Sequence, residues 1–236
     1  MKLDYLITGT GRCGTVYLAH VLTSVGMPCG HESVFGHHGL ERALKVMSGE
    51  KGAGNSGISR GSGLRSKPRD FVAESSYLSA PFIDHESLKD TKVIHIVRNP
   101  IRVIPSFVWG FSYFGGTTGT VYENFIYRTY PELASKELTP IDRASMYYIL
   151  WNRMIRDKRP DSFLHKVEDP ILPLLDYLGC PDKIDEVCSK KNLNARKRGM
   201  AGFNLERISS SYVRDELTKI SEEYGYPISS SRKLFI

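Results

Sequence analysis

The chain contains, close to its start, the stretch Tyr5-Leu6-Ile7-Thr8-Gly9-Thr10-Gly11-Arg12-Cys13-Gly14-Thr15-Val16-Tyr17. A short apolar run gives way there to a glycine-rich turn and then to apolar residues at helical spacing, which predicts a strand, a tight loop and the start of a helix. Glycines let backbone N–H groups converge on one point, and the helix adds the positive end of its dipole. The turn is therefore predicted to bind an anion such as a phosphate or sulfate ester; a turn without a ligand is the alternative.

Two known kinds of phosphate loop can be compared with this turn. A mononucleotide-binding P-loop has a lysine after its last glycine, but Gly14 is followed by Thr15-Val16, which disfavours an ordinary ATPase or kinase. Gly9-x-Gly11-x-x-Gly14 satisfies the dinucleotide fingerprint, and Glu32 lies near the expected position of its acidic residue. The turn alone leaves a dinucleotide enzyme open.

Composition bounds the class of protein. With 236 residues, of which 41% are hydrophobic and 25% charged, the chain has the composition of a folded protein and is expected to form a single domain over residues 1–236. No apolar run approaches the roughly 18 residues of a membrane span. Met1-Lys2-Leu3-Asp4 leads into strand-like sequence rather than a signal peptide, so we expect a cytoplasmic protein without a membrane span.

Cysteine usage and charge narrow the choice of ligands. The four cysteines show no Cys-x-x-Cys spacing, which suits a reducing compartment and argues against zinc, so no metal is expected. The net charge of +6 favours anionic ligands. Because the basic residues are spread out, without a basic stripe interleaved with aromatic residues, no nucleic-acid partner is expected.

Strand and helix patterns alternate along the chain. Beyond the first strand, strands are predicted at 29–32, 71–74, 92–97 and 163–167, and helices at 15–25, 40–47, 101–107, 122–130, 142–156 and 170–178. This alternation predicts an α/β fold of three layers, α/β/α, around a central, mostly parallel sheet of four to five strands. Residues from about 49 to 69, rich in glycine, serine and basic residues, predict a flexible loop that is either a lid or disordered.

A second motif, Arg98-Asn99-Pro100-Ile101-Arg102-Val103-Ile104-Pro105-Ser106-Phe107, follows the clearest strand pattern. With it the chain resembles the sulfotransferases that use 3′-phosphoadenosine 5′-phosphosulfate (PAPS). In that family a Lys/Arg-Ser-Gly-Thr-Thr loop after the first strand binds the 5′-phosphosulfate, and this chain has Arg12-Cys13-Gly14-Thr15-Val16. The family also has a strand followed by an arginine, with a serine eight positions on, and both hold the 3′-phosphate. Arg98 and Ser106 have that spacing.

Two shorter stretches are also similar to the family. Val167-Glu168-Asp169 resembles its Tyr-Glu-Asp segment, with valine in place of tyrosine. Arg196-Lys197-Arg198-Gly199-Met200-Ala201-Gly202 is similar to the Arg-Lys-Gly-x-x-Gly stretch with which cytosolic members hold the 3′-phosphate, although the tryptophan and lysine expected beyond it are absent. Arg102 and either Lys197 or Arg198 are thus further candidates for this phosphate.

The resemblance implies a P-loop NTPase-like fold, PAPS as cofactor and 3′,5′-ADP as product. Arg12 would stabilise charge that develops on the departing phosphate, helped by the N–H groups of Gly11 to Thr15 and by the Thr15 hydroxyl. Arginine and serine suit a phosphate on chemical grounds alone, because a planar donor fork and a short hydroxyl both match its oxygens. The alternative for Arg98 and Ser106 is that they cap the next helix.

The remaining role is that of the general base. Family members similar to tyrosylprotein and glycan sulfotransferases place a glutamate at the end of the second strand, which makes Glu32 the first choice; Glu74, after the third strand, is the alternative. Adjacent strand residues point to opposite faces, so His31 and Glu32 are predicted not to share this role. Desolvation would raise the pKa of a partly shielded carboxyl, whereas nearby arginines would lower it.

The function expected from the resemblance is transfer of a sulfuryl group to a hydroxyl acceptor, either a glycan or a small molecule. An aromatic acceptor pocket or simply core packing would explain Tyr77, Trp109, Phe111, Tyr113 and Phe114. The alternatives are another nucleotide-dependent transferase, a dinucleotide oxidoreductase, or a protein that binds nucleotide or glycan without turnover.

Overall fold

The computed structural model describes residues 2–50, 70–110, 113–115, 120–187, 203–226 and 228. Most of the loop predicted at 49–69 lies outside these residues, and so do Lys197 and Arg198. The chain divides into two compact units, one of residues 1–97 and 154–195 and the other of residues 98–153 and 196–236. The single domain expected from the sequence stays a prediction.

The first unit is built on a parallel sheet of five strands. These are β1 (Tyr5–Thr8), β2 (Cys29–His31), β3 (Ala73–Ser75), β4 (Lys92–Val97) and β5 (Phe163–Lys166). Their order is β2-β3-β1-β4-β5, and every adjacent pair is parallel. The predicted α/β fold with a central parallel sheet is confirmed.

Helices separate the strands along the chain. The described residues form α1 (Thr15–Ser24), α2 (Leu40–Ser48), α3 (Pro100–Pro105), α4 (Val121–Thr129), α5 (Pro140–Lys158), α6 (Leu172–Tyr177) and α7 (Ser211–Glu223). None of these helices is long and apolar enough to cross a membrane.

The sheet is covered on both faces. On one face, Ile7 and Ile94 belong to a buried cluster that also contains Leu18 and Leu22 of α1 and Leu174 of α6. Because side chains alternate along a strand, Leu6, Val93 and Val97 point to the other face, and they too are buried. Burial on both faces explains why the strands read as continuous apolar runs, and it agrees with the predicted three-layer architecture.

The second unit has an aromatic core. Phe107, Phe114, Tyr122, Tyr147 and Trp151 are buried, and Phe107 and Trp151 lie with their ring centroids 5.2 and 5.1 Å from that of Tyr147. Phe114 therefore belongs to the core rather than to an open pocket. In the first unit Tyr77 is also buried, whereas Trp109 of the second unit is 38% exposed. Phe111 lies outside the described residues.

Candidate active site

The turn between β1 and α1, residues 9–14, is compact and depends on glycine. A side-chain carbon at Gly9 would lie 2.1 Å from the carbonyl oxygen of Ile96 in β4, so only glycine allows this approach. Arg12 has a φ of 68° and Gly14 a φ of 107°, both in the left-handed region. A carbon at Gly14 would also lie 2.8 Å from Cγ2 of Val167, which follows β5. The turn is therefore held closely against the ends of β4 and β5.

The position of this turn in the sheet is typical of a binding site. From β1 the chain passes to β2 on one side of the sheet, whereas from β4 it passes to β5 on the other side. β1 and β4 are neighbours, with Thr8 opposite His95. Open α/β sheets bind ligands beyond the carboxyl ends of two adjacent strands whose connections run to opposite sides of the sheet. The turn after β1 lies at such a point.

Thr15, the first residue of α1, is held by the ends of two further strands. Its Oγ1 lies 3.1 Å from Nε2 of His31, at the end of β2, and its carbonyl oxygen accepts a hydrogen bond of 2.8 Å from Oγ of Ser75 in β3. His31 and Ser75 are register partners, so both side chains point to the face that α1 covers. The turn of residues 9–14 is thus tied to the carboxyl edge of the sheet through Thr15, which directly follows it.

Glu32 lies beside His31, which corrects one prediction. The sequence predicts opposite faces for the two side chains, but Oε1 of Glu32 is 3.9 Å from Nε2 of His31. The reason is that Glu32 follows β2 with a φ of 52°, and this left-handed conformation ends the alternation of the strand. Glu32 is only 4% exposed, and its burial, with a smaller effect of Glu74, raises its pKa to about 8.

Glu74 is fully buried in β3 and supports the chain after β2. Its Oε1 accepts hydrogen bonds from the N–H groups of Val34 and Phe35 at 2.9 and 3.4 Å. Its Oε2 has no hydrogen-bond partner among the described residues and faces Gly30, where a side-chain carbon would lie 2.2 Å away. Burial raises the pKa of Glu74 to about 8, although the backbone N–H groups act against this shift. Its bonds to the backbone indicate a supporting role and favour Glu32 as the base.

His31 lies at the carboxyl end of β2, as the sequence pattern predicts, but its hydrogen bond with Thr15 was not predicted. Burial, and to a smaller extent His20, lowers the pKa of His31 to about 4, so the imidazole is neutral at physiological pH. Its Nε2 lies 3.1 Å from Thr15 Oγ1 and 3.9 Å from Oε1 of Glu32, so His31 stands between the start of α1 and the candidate base. Among the described residues, no three His, Cys, Asp or Glu side chains come together as a metal site.

The described candidates for the 3′-phosphate, Arg98, Arg102 and Ser106, lie in or directly before α3 and the turn that follows it. Arg98 directly follows β4 in the chain, and its carbonyl oxygen accepts a hydrogen bond of 2.9 Å from the Tyr148 hydroxyl. The side chain that caps the start of α3 is that of Asn99, whose Oδ1 accepts from the N–H of Ile101, and not that of Arg98. Arg102 is exposed on α3, and Ser106 opens a π-helix that extends to Gly110.

Comparison with known proteins yields no match to a family model, to a curated protein or to a solved structure.

Proposed function

We propose that this chain is a PAPS-dependent sulfotransferase that moves a sulfuryl group to a hydroxyl of a glycan or small molecule. The observation that carries the proposal is the contact of His31 with both Thr15 and Glu32, at 3.1 and 3.9 Å. Through His31 it connects a buried carboxyl to Thr15, the residue that follows the turn proposed to bind an anion. Sulfuryl transfer needs both, because one group must take a proton from the acceptor while others stabilise the departing phosphate.

In the proposed reaction the acceptor oxygen attacks sulfur in line with the departing oxygen. The new S–O bond forms as the bond between sulfur and the 5′-phosphate oxygen breaks, and 3′,5′-ADP leaves with both electrons of that bond. Glu32 takes the proton of the acceptor hydroxyl. Arg12, the Thr15 hydroxyl and the N–H groups of the turn stabilise the negative charge on the leaving phosphate.

The protonation behaviour of Glu32 suits this role. A general base works best when its pKa lies near the operating pH, and burial raises that of Glu32 to about 8. A nearby arginine would lower the pKa of Glu32, whereas a bound phosphosulfate would raise it. The carboxylate form is thus accessible at neutral to mildly alkaline pH.

Thr10 adds support for a ligand in the turn. Its side chain is 1% exposed, and its Oγ1 has no hydrogen-bond partner among the described residues. Because a buried hydroxyl without a partner costs free energy, such a group inside an anion-binding turn calls for a bound acceptor.

The 3′-phosphate is assigned to Arg98 and Ser106, with Arg102 and Lys197 or Arg198 as further contacts. This part of the proposal depends on the sequence resemblance. The π-helix that starts at Ser106 is consistent with a functional position, since such widened turns often occur at binding sites.

The strand order disfavours the dinucleotide alternative. A dinucleotide-binding Rossmann sheet has the order 3-2-1-4-5-6, in which the second strand is next to the first. Here β3 lies between β1 and β2. The missing lysine after Gly14 likewise disfavours an ordinary nucleotide phosphotransferase. The cytoplasmic location stays a prediction.

Two measurements test the proposal. Titration calorimetry should detect binding of 3′,5′-ADP but not of NAD⁺, and PAPS labelled in the sulfate should transfer its label to at least one member of a panel of sugars, phenols and lipids. Binding of 3′,5′-ADP without transfer to any acceptor would favour a non-catalytic binding protein. Binding of NAD⁺ in place of 3′,5′-ADP would overturn the proposal.

A further inference from the structure

The contact between His31 and Thr15 can be made in two chemically different ways. A neutral imidazole carries its proton on one of its two nitrogens. If Nε2 of His31 is unprotonated, it accepts the hydrogen bond of the Thr15 hydroxyl, whose proton is then occupied. If Nε2 is protonated, it donates to Thr15 Oγ1, and the hydroxyl proton can point elsewhere. The distance of 3.1 Å is compatible with both.

We propose that His31 is a positioning residue that donates its Nε2 proton to Thr15 Oγ1 and thereby directs the Thr15 hydroxyl proton toward the bound anion. The proposal rests on the proposed function, because the anion is taken to be the phosphosulfate group of PAPS. In this proposal the imidazole orients the Thr15 hydroxyl as a donor to the anion, whereas Glu32 takes the proton of the acceptor.

Glu32 favours this tautomer in the reactive form of the site. Its Oε1 lies 3.9 Å from the same nitrogen of His31. When Glu32 is ionised, as a general base must be, both of its oxygens are acceptors only, and they repel a lone pair on Nε2 but attract an N–H group. Titratable side chains that act on this pair include His20 of α1, which acts on His31, and Glu74 of β3, which acts on Glu32.

The surroundings of Thr15 hold the donor in place. Thr15 is buried, and among the described residues His31 is the hydrogen-bond partner of its hydroxyl. Ser75 donates a hydrogen bond to the carbonyl oxygen of Thr15. This bond fixes the backbone of Thr15 and so the position of its side chain. Once Nε2 has donated, the Thr15 proton has no acceptor in the described part of the chain, and an anion oxygen would supply one.

The tautomer can be read directly in the wild-type protein. Long-range ¹H–¹⁵N correlation spectra distinguish the two ring nitrogens, and the signals of His31 are those that disappear in His31→Gln. At pH 9, where Glu32 is ionised, we expect the proton on Nε2. A proton on Nδ1 at this pH would overturn the inference, whatever the enzyme's substrate.

A matched pair of amides tests the consequence for binding. The amide nitrogen of glutamine reaches the position of Nε2, whereas that of asparagine stops near Nδ1. Since hydrogen bonds to charged groups are among the stronger ones, we expect His31→Asn to weaken 3′,5′-ADP about tenfold or more, and His31→Gln to remain within about threefold of the wild type. In the Thr15→Val background His31→Asn should change the dissociation constant by less than about twofold.

The outcomes separate this inference from the proposed function. A wild type that transfers sulfate but has equal affinities for 3′,5′-ADP in His31→Gln and His31→Asn keeps its function and loses the inference. A wild type that binds no 3′,5′-ADP loses the proposed function, and the tautomer spectrum then decides the inference alone. A structural role of His31 would impair both amide variants equally, in the presence or absence of the Thr15 hydroxyl.

Discussion

Glu32 and Glu74 are both buried carboxyls, and what surrounds each of them determines what it can do. Glu74 gives one oxygen to two backbone N–H groups and turns the other toward Gly30. Glu32 lies beyond the end of β2 and touches the imidazole that holds Thr15. Two groups with the same chemistry and similarly raised pKa values thus have different surroundings: Glu74 supports the backbone after β2, and Glu32, beside His31, is the carboxyl that we propose as the base.

Replacement of the proposed base should remove turnover but not nucleotide binding. We expect Glu32→Gln to lower kcat by about 10² to 10⁴, the usual contribution of a general base. In the wild type, kcat/KM should rise with pH toward about 8, as Glu32 loses its proton, and then level off. Steady-state kinetics and calorimetry with 3′,5′-ADP check both points, with Glu132→Gln on the surface as control. Unchanged turnover in Glu32→Gln would exclude it as the base.

Glu74 should make the fold less stable as the pH rises. Its pKa is about 8 in the folded chain, against 4.5 as the ordinary value, so the folded state binds more protons between these limits. The free energy of unfolding should therefore fall by up to about 1.4 kcal/mol per pH unit in this window. Glu74→Gln should flatten the decline, as measured by urea unfolding from pH 5 to 8; the same slope in variant and wild type would contradict the raised pKa.

The sequence singled out Glu32 as a candidate base but did not predict the geometry around it. A left-handed residue directly after a strand carries no sequence signal when it is not glycine, and so the alternation rule placed Glu32 on the wrong side of His31. The contact between His31 and Thr15 joins residues from different elements. The contact between His31 and Thr15 can be predicted only when the register of β2 and β3 is known, because that register places His31 beside Ser75.

At the scale of elements, the turn of residues 9–14 depends on two separate properties of glycine. Gly9 is needed for space, because the backbone of β4 lies against it. Gly14 is needed for its φ of 107° as well as for the contact with Val167. The glycine pattern predicted the turn but not which constraint acts at which position.

A steric clash at a glycine should cost more stability than a positive φ does. Gly9→Ala would place a carbon 2.1 Å from a backbone oxygen that cannot move without disturbing β4, and we expect a loss of about 3 kcal/mol or more. Gly49→Ala at the end of α2 meets a positive φ of 80° but no atom within 4 Å, and about 1 kcal/mol is expected. Denaturant unfolding of both variants gives the comparison, and a Gly9→Ala loss no larger than that of Gly49→Ala would refute the close approach.

Most of the predicted helices are present, but the sequence analysis missed α7 (Ser211–Glu223), and α3 departs from its predicted range for a local reason. Apolar spacing predicts a helix at 101–107, whereas α3 runs from Pro100 to Pro105 and continues as a π-helix from Ser106. Pro105 has no N–H to bond the carbonyl of Ile101, so the regular ladder is interrupted where the helix widens. The spacing of apolar residues gives no information about the N–H group that Pro105 lacks.

At the scale of the molecule, the class of fold was predictable and the order of its strands was not. Alternating strands and helices indicate a parallel sheet whatever the order, since each crossover has the same hand. The order depends on which strands meet over long stretches of chain, and β1 pairs with β3 and β4 rather than with β2. Nor did the composition indicate a division into two compact units.

Binding of the nucleotide product should stabilise the whole chain. A ligand at 100 times its dissociation constant adds about 2.7 kcal/mol to the free energy of unfolding. We expect thermal unfolding to shift upward with 3′,5′-ADP and much less with 5′-AMP at the same concentration, and Arg98→Ala to remove most of this difference. Equal shifts with the two nucleotides would show that Arg98 and Ser106 do not read the 3′-phosphate.

The central position of β1 also has a consequence for synthesis of the protein. β1 is synthesised before both of its neighbours in the sheet, which are β3, where Tyr5 pairs with Ala73, and β4, where Tyr5 pairs with Lys92. At about 5–20 residues per second, Leu6 and Ile7 therefore wait for seconds with their apolar side chains in water before either partner emerges. During this interval the nascent chain exposes apolar residues that will become the middle of the sheet.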